Sequence, residues 1–323
     1  MEEVIKNFFY NYGYDKKIVE NVNMQLDKVK ESGYIQGKNN VKLYYEKYIV
    51  PNEKGRVVLC HGYCEYIAKF TEMIYYFMKM GYSVYAIEHR GHGRSGSLSR
   101  VHKSQINIDK FEYYVEDLKM FLDKIVVKDN TDLYLYAHSM GGAIGAMFLE
   151  KYTGYFKKAI LSAPMLEIDT GKYPKWMSYC ASCIYVAIGK GDKYVFGHGP
   201  FKGKYNLEAS ASSNKFRYEN NLKNLRNNEV IQRSGASFNW VFQSLISTKK
   251  IINKNNVRKI DIPMLIFQAG IDRVVKPGGQ NKFCERAKNC KIVRFEKAKH
   301  EIYSENDEIL IEYLKEIRKF LKQ

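Results

Sequence analysis

Residues 135–145 read LYAHSMGGAIG. Its centre, Ala137-His138-Ser139-Met140-Gly141, differs by one methyl group from Gly-x-Ser-x-Gly, the strained strand-to-helix turn that lifts a serine hydroxyl above a sheet. The flanks suit that turn. Leu133-Tyr134-Leu135-Tyr136 reads as a short buried strand, and Gly142-Ala143-Ile144-Gly145-Ala146-Met147 opens a helix of small residues that can pack close to it. A serine hydroxyl is a poor nucleophile until a base takes its proton. Ser139 therefore counts as a candidate only if a histidine, an orienting acid and an oxyanion hole accompany it.

Outward from this turn, β-branched and aromatic runs alternate with segments of helical period. Strands are expected at 41–50, 56–60, 83–87, 133–136, 158–161, 263–268 and 291–295. Between them, Ile108, Phe111, Val115, Leu118, Leu122 and Ile125 recur at three- and four-residue steps and predict a helix over 108–125 facing a sheet. This is the pattern of an α/β fold, a mostly parallel central sheet with helices on both faces. Strand signals vanish over 165–235, where Gly, Lys, Ser and Asn surround an apolar island of Trp176, Met177, Tyr179, Ile184, Tyr185, Val186 and Ile188. We expect an inserted helical cap there, a core built from 33–164 and 236–323, and an N-terminal helical extension over 1–32.

Function classes narrow quickly. The 323 residues carry a formal charge of +17, with 23 basic and 19 acidic residues in 1–164 against 29 and 16 in 165–323. The surplus of the second half suits an anionic partner, either a lipid surface or a nucleic acid. No basic run with interleaved aromatics marks a nucleic-acid platform, so no nucleic acid is expected. The N-terminus is acidic where a signal peptide is basic, and no stretch approaches 18 apolar residues. A cytoplasmic protein is expected, able to touch a membrane peripherally. Cys180 and Cys183 lack the further ligands of a zinc site, so no metal is expected. Gly91-His92-Gly93-Arg94-Ser95-Gly96 fits a dinucleotide fingerprint in letters alone. The next helical period opens only near Ile108, and the acid about 20 residues on, Asp117, lies mid-helix, so no nucleotide cofactor is expected.

The partners of Ser139 are sought downstream, in the order acid then histidine. His198 falls in the expected cap, whereas His300 follows the strand at 291–295 by a few residues, which makes it the better base. Among Asp169, Asp192, Asp261 and Asp272, only Asp272 directly follows a strand at its carboxyl end, where open α/β sheets meet ligands. A glutamate stays open as an alternative, although none between 139 and 300 has so clear a strand-end position. The oxyanion hole needs two amides: Met140 supplies one, and the His61-Gly62-Tyr63 turn after an early strand supplies that of Tyr63.

With these residues assembled, the chain resembles the monoglyceride lipase and bacterial lysophospholipase group of α/β-hydrolases over roughly 33–320. The likeness rests on motifs in order: GKNNVKLYY at 37–45, His61-Gly62 with Glu65, the loop 89–95, the elbow 137–142, Ser162-Ala163-Pro164, Asp272-Arg273-Val274-Val275, and His300-Glu301 with Glu305. The segment LEASASSNKFR at 207–217, with Tyr218 after it, is more similar to the lysophospholipase branch. The resemblance implies Ser139 as nucleophile, Asp272 and His300 as its relay, and the Tyr63 and Met140 amides as oxyanion hole. It also implies no cofactor and a small-molecule acyl-ester substrate of the single-chain lipid class, with the apolar cap holding the acyl chain. A small-ester esterase, thioesterase or aminopeptidase on the same residues, or a lipid-binding module without catalysis, are the competing expectations.

Overall fold

In a computed structural model, residues 16–127 and 129–323 are described. The elements in chain order are α1 (Lys16–Asp27), β1 (Lys30–Gln36), β2 (Lys42–Tyr48), β3 (Arg56–Cys60), α2 (Thr71–Lys79), β4 (Ser83–Ile87), α3 (Glu112–Phe121), β5 (Leu133–His138), α4 (Met140–Lys151) and β6 (Lys158–Ser162). There follow α5 (Lys175–Ala187), α6 (Lys215–Asn227), α7 (Phe238–Ile251), β7 (Met264–Ala269), α8 (Pro277–Arg286), β8 (Cys290–Phe295) and α9 (Asp307–Lys322). The eight strands form one sheet in the order β1-β2-β4-β3-β5-β6-β7-β8, parallel except where β2 pairs antiparallel with β1 and β4.

The central strands are near-continuous apolar runs because both sheet faces are covered. Val58, Cys60, Leu135, Ala137 and Leu161 point to one core with α3, α4 and α7, while Val57, Leu59, Tyr136, Ile160 and Phe267 point to the other with α1, α2 and α9. The order reverses at β3. The chain first moves outward to β4 and then crosses back to β5, opening a crevice at the carboxyl ends of β3 and β5 where such sheets bind ligands.

Three expectations need correction. The extension over 1–32 lies partly outside the described residues, and its described part is helix only to Asp27, with β1 beginning at Lys30. The helix over 108–125 begins at Glu112 and widens into a π turn at Leu122–Val126. The apolar island does not line an interior: α5 buries only Ser182, while Trp176 (67 % exposed), Ile184 (58 %) and Ile188 (56 %) face solvent. Helix α5 is held instead by ring stacking, Tyr185 on Phe238 at 3.9 Å and Tyr179 on Phe242 at 5.8 Å between centroids.

One buried acid is a stability liability. Glu150, on the last turn of α4, is 8 % exposed, and its Oε1 has no partner among the described residues. Burial pushes its carboxyl up to about 9, only partly offset by Lys259. A folded-state value above the unfolded one gives stability that is full below the unfolded value and is lost as pH rises through the folded value. Wild-type stability should therefore decline between about pH 4.5 and about 9 on this account. Glu150→Gln, which needs no proton, should melt like the wild type at pH 5 and higher at pH 8, by a few kcal/mol. Melting curves at the two pH values check this, and equal differences at both would refute it.

Candidate active site

The elbow forms as its letters predict. Ser139 follows β5 and caps α4 with φ 51° and ψ −116°, a backbone conformation that costs of order 1–3 kcal/mol for a residue with a side chain. Its main chain is pinned from outside. The Ser139 amide donates to the Ser162 carbonyl (3.0 Å), and the Ser139 carbonyl accepts from Met165 (2.8 Å) and Ala143 (3.2 Å). The contacts to Ser162 and Met165 come from the end of β6 and the segment after it, so neighbouring structure over-determines the strained residue.

Helix α4 can approach this closely only because it opens on small residues. A Cβ on Gly141 would lie 2.6 Å from the His61 carbonyl oxygen, and one on Gly142 would lie 2.6 Å from the Pro164 Cβ. Ala137, in the place of the usual first glycine, is accommodated by a vacancy across from it. Position 145 is also glycine, and a Cβ there would sit 3.4 Å from the Ala137 methyl and 2.8 Å from Leu135 Cδ2. The methyl missing from one partner is carried by the other.

Ser139, His300 and Asp272 converge from the carboxyl ends of β5, β8 and β7. His300 Nε2 lies 2.8 Å from Ser139 Oγ, and its Nδ1 lies 2.7 Å from Asp272 Oδ2. Asp272 Oδ1 accepts the Val274 and Val275 amides at 2.8 and 2.9 Å. Burial raises the Asp272 carboxyl, but the imidazole beside it and the two amides outweigh that and hold it below its ordinary value. A carboxylate facing Nδ1 fixes that nitrogen as the donor and leaves Nε2 free to accept the serine proton.

Two of the alternative candidates, His198 and Asp169, are engaged elsewhere. His198 Nδ1 accepts the Ala236 amide, Asp169 Oδ1 accepts the Gly171 amide, and the Gly91–Gly96 loop is filled by protein. A Cβ on Gly93 would meet the Glu88 carboxylate, which accepts the Arg94 and Ile67 amides, so an acid occupies the space a phosphate would need. Asp117 is ion-paired with Arg90 at 2.6 Å in the interior. Cys180 and Cys183 are exposed thiols, and the described residues contain no cluster of three metal-binding side chains.

Opposite the elbow, β3 ends in the turn His61-Gly62-Tyr63. His61 Nε2 accepts the His89 amide at 3.0 Å, so Nδ1 carries the proton and donates to the Gly62 carbonyl at 2.8 Å. Burial lowers its basicity to about 4, which keeps the ring neutral and fully occupied as a brace. The Gly62 amide donates to the Glu65 carboxylate. Among the described residues, neither the Tyr63 nor the Met140 amide has a protein acceptor. Two uncommitted donors beside a serine hydrogen-bonded to a histidine are the features an acyl-transfer site requires.

The motif reading missed the side chains behind this site. His138, the residue before Ser139, is buried with Nδ1 2.9 Å from Glu65 Oε2 and Nε2 3.3 Å from the His300 carbonyl. Glu65 Oε1 accepts from Tyr303 Oη (2.7 Å) and Lys69 Nζ (3.1 Å), and Lys69 also pairs with Glu301. The letters His138, Glu65 and Glu301 are legible as motif neighbours, but nothing in their spacing signals the contact.

Comparison with known proteins assigns the chain to a family. The family model described as serine aminopeptidase, S33, matches residues 51–307. A probable lysophospholipase L2 of Haemophilus influenzae is 31 % identical over 294 residues, covering 89 % of this chain and 91 % of that protein. Human monoglyceride lipase is 23 % identical over 84 % of this chain and 83 % of its own length. Among solved structures, a soluble variant of yeast (Saccharomyces cerevisiae) monoglyceride lipase in complex with a substrate analog superposes with a TM-score of 0.68 at 20 % identity, over 91 % of this chain and 96 % of that one. The fold is thus that of the α/β-hydrolases, and the chain belongs to the serine aminopeptidase S33 family of hydrolases.

Proposed function

We propose that this chain is a serine hydrolase that cleaves the carboxylic ester of single-chain acyl lipids, lysophospholipid or monoacylglycerol, through an acyl-enzyme on Ser139. The observation that carries the reading is the hydrogen-bonded line Ser139–His300–Asp272, with the imidazole tautomer set for proton acceptance. Relatives named lysophospholipase and monoglyceride lipase that cover most of the chain support the substrate class. His300 takes the Ser139 proton as Oγ attacks the ester carbonyl, and the oxyanion forms against the Tyr63 and Met140 amides. His300 then protonates the departing alcohol oxygen. Water, deprotonated by the same imidazole, attacks the acyl carbon and releases the fatty acid and free Ser139. Asp272 orients the ring and stabilises its transient charge.

The outward apolar face of α5 extends the proposal to where the enzyme works. Trp176, Met177, Ile184, Ile188 and Phe196 form an exposed apolar surface among exposed Lys172, Lys175, Lys190 and Lys193. An apolar face rimmed by lysines suits the interface of an anionic bilayer, where the substrate resides. Among the described residues no helix is long and apolar enough to cross a membrane, so this contact would be peripheral.

Two experiments address substrate and surface in turn. Hydrolysis of lysophospholipid, monoacylglycerol, nitrophenyl esters, acyl-thioesters and aminoacyl substrates should show a marked preference for the long-chain single-acyl lipids. An equal or higher rate on short esters, thioesters or aminoacyl compounds would sink the lipid reading. Co-sedimentation should be stronger with vesicles containing phosphatidylglycerol than with pure phosphatidylcholine and should weaken in Trp176→Ser. Equal recovery with both vesicle types would count against the surface.

A further inference from the structure

One carboxylate touches both halves of the site. Glu65 Oε2 accepts from the Gly62 amide, in the turn that aims Tyr63, and from His138 Nδ1 at 2.9 Å. On the far side of the His138 ring, Nε2 reaches the main-chain carbonyl of His300 at 3.3 Å. An unbroken line of contacts thus runs from the oxyanion turn through Glu65 and His138 to the backbone of the residue that accepts the serine proton. Glu65 and His138 are 3 % and 1 % exposed.

Hydrogen bonding fixes the charge state of this line. Both nitrogens of His138 face atoms that can only accept, a carboxylate oxygen and a carbonyl oxygen, so both must carry protons. Burial disfavours that charge, but Glu65 outweighs it and raises the His138 value. Burial likewise raises the Glu65 carboxyl, yet His138, Lys69 and their hydrogen bonds overcome it and hold the group well below the carboxylate range. The rings of Tyr303 and Phe70 stack on each other and lie 5.0 and 6.1 Å from that of His138, Tyr303 edge-on and Phe70 tilted. A neutral histidine could serve only one of its two acceptors. The carboxylate is what allows it to serve both.

We propose that Glu65 and His138 are positioning residues, a second buried acid–histidine pair that sets the oxyanion turn and the His300 main chain at a fixed separation across Ser139. The inference rests on the catalytic reading of Ser139 and His300. The pair touches no reacting atom. Its effect is geometric, because near-attack geometry lost by about 1 Å costs on the order of 100-fold. It should appear in kcat far more than in KM.

Glu65→Gln and His138→Gln test it, with rates per active site counted by fluorophosphonate titration on a soluble nitrophenyl ester. Each is expected to lower kcat by about 10- to 100-fold with KM within about twofold. The double variant should be no slower than the slower single, because the two act as one unit. The low-field proton resonance of the His300–Asp272 hydrogen bond should move in both variants, which a loss of general stability alone would not do. A folded Glu65→Gln or His138→Gln with wild-type kcat and an unmoved resonance overturns the proposal. If neither variant folds, Tyr303→Phe, which removes one hydrogen bond to Glu65 and keeps the ring on Phe70, decides by the same two readouts. Wild-type kcat and an unmoved resonance there overturn it as well. A wild-type chain that does not label with fluorophosphonate would overturn the catalytic reading of Ser139 and this pair with it, whereas a labelled wild type with fully active variants overturns the pair alone.

Discussion

Ser139→Ala is expected to lower turnover by about four to six orders of magnitude while the protein still folds, and His300→Ala and Asp272→Asn should each come within about a hundredfold of that loss. The Ser139 hydroxyl donates a single hydrogen bond to His300 Nε2, so its removal deletes the proposed nucleophile and little packing. Asp272→Asn is the most informative of the three. Oδ1 is committed to the Val274 and Val275 amides, so an asparagine would keep its oxygen there and turn its amide donor toward His300 Nδ1. Two donors cannot face each other, and the ring would move its proton to Nε2, where it can no longer accept one from Ser139. Size and fold are conserved, yet the base is switched off. Pairwise combinations should cost little more than the worst single change, because the three act together. The rates are to be measured on a soluble ester with protein whose melting curve matches that of the wild type. His300→Ala with activity within about tenfold of wild type would contradict the assignment.

The second large loss is expected from one methyl group. Gly141→Ala places a Cβ against the main chain of Cys60 and His61, 2.6 Å from the His61 carbonyl oxygen and closer still to that of Cys60. The Cys60 carbonyl ends β3, which is paired on both sides with β4 and β5 and resists displacement, and the His61 carbonyl opens the turn that follows. Helix α4 must therefore recede, drawing Ser139 and the Met140 amide away from the Tyr63 turn, or the turn itself must shift. Either movement should cost activity on the order of 100-fold or more, with about 1–3 kcal/mol of stability from overpacking. Helix propensity alone predicts the opposite, a gain of roughly 1 kcal/mol for alanine over glycine. Gly145→Ala is the matched control: its Cβ would meet the movable Leu135 side chain and the Ala137 methyl, so the loss should be smaller in both readouts. Melting curves and kcat for the two variants decide it. A Gly141→Ala protein as stable and active as wild type would show that the close approach of α4 to β3 is not required.

The residues behind these two predictions differ in how plainly the amino-acid sequence announces them, and the difference follows from burial and chain separation. Strands β3 and β4 are legible to the residue because central parallel strands are apolar throughout, and RVVLC and SVYAI are bounded by polar turns. Strand β1 is not, since KESGYIQ buries only Ile35 and an edge strand exposed along most of its length has no hydrophobic rhythm to read. Ser139, Asp272 and His300 can be ordered because each lies just past a strand, a position that chain order and period locate well. The orientation of α5 cannot be read that way. Hydrophobic content says that Trp176 and Ile184 avoid water, but not whether protein or a bilayer removes them from it. The Glu65–His138 contact spans 73 positions and is carried by no local pattern. It emerges only when the turn after β3 and the end of β5 are brought together.

The main chain at Ser139 has a consequence for the protein as a target of selection. Its positive φ is maintained by hydrogen bonds to Ser162 and Met165, so the folded state carries a standing penalty at its most useful residue. Heat tolerance and turnover then draw on the same few atoms in opposite directions. A lineage or a laboratory screen that rewarded thermal survival alone would find its easiest improvements by letting this turn relax, and would lose the enzyme while perfecting the scaffold.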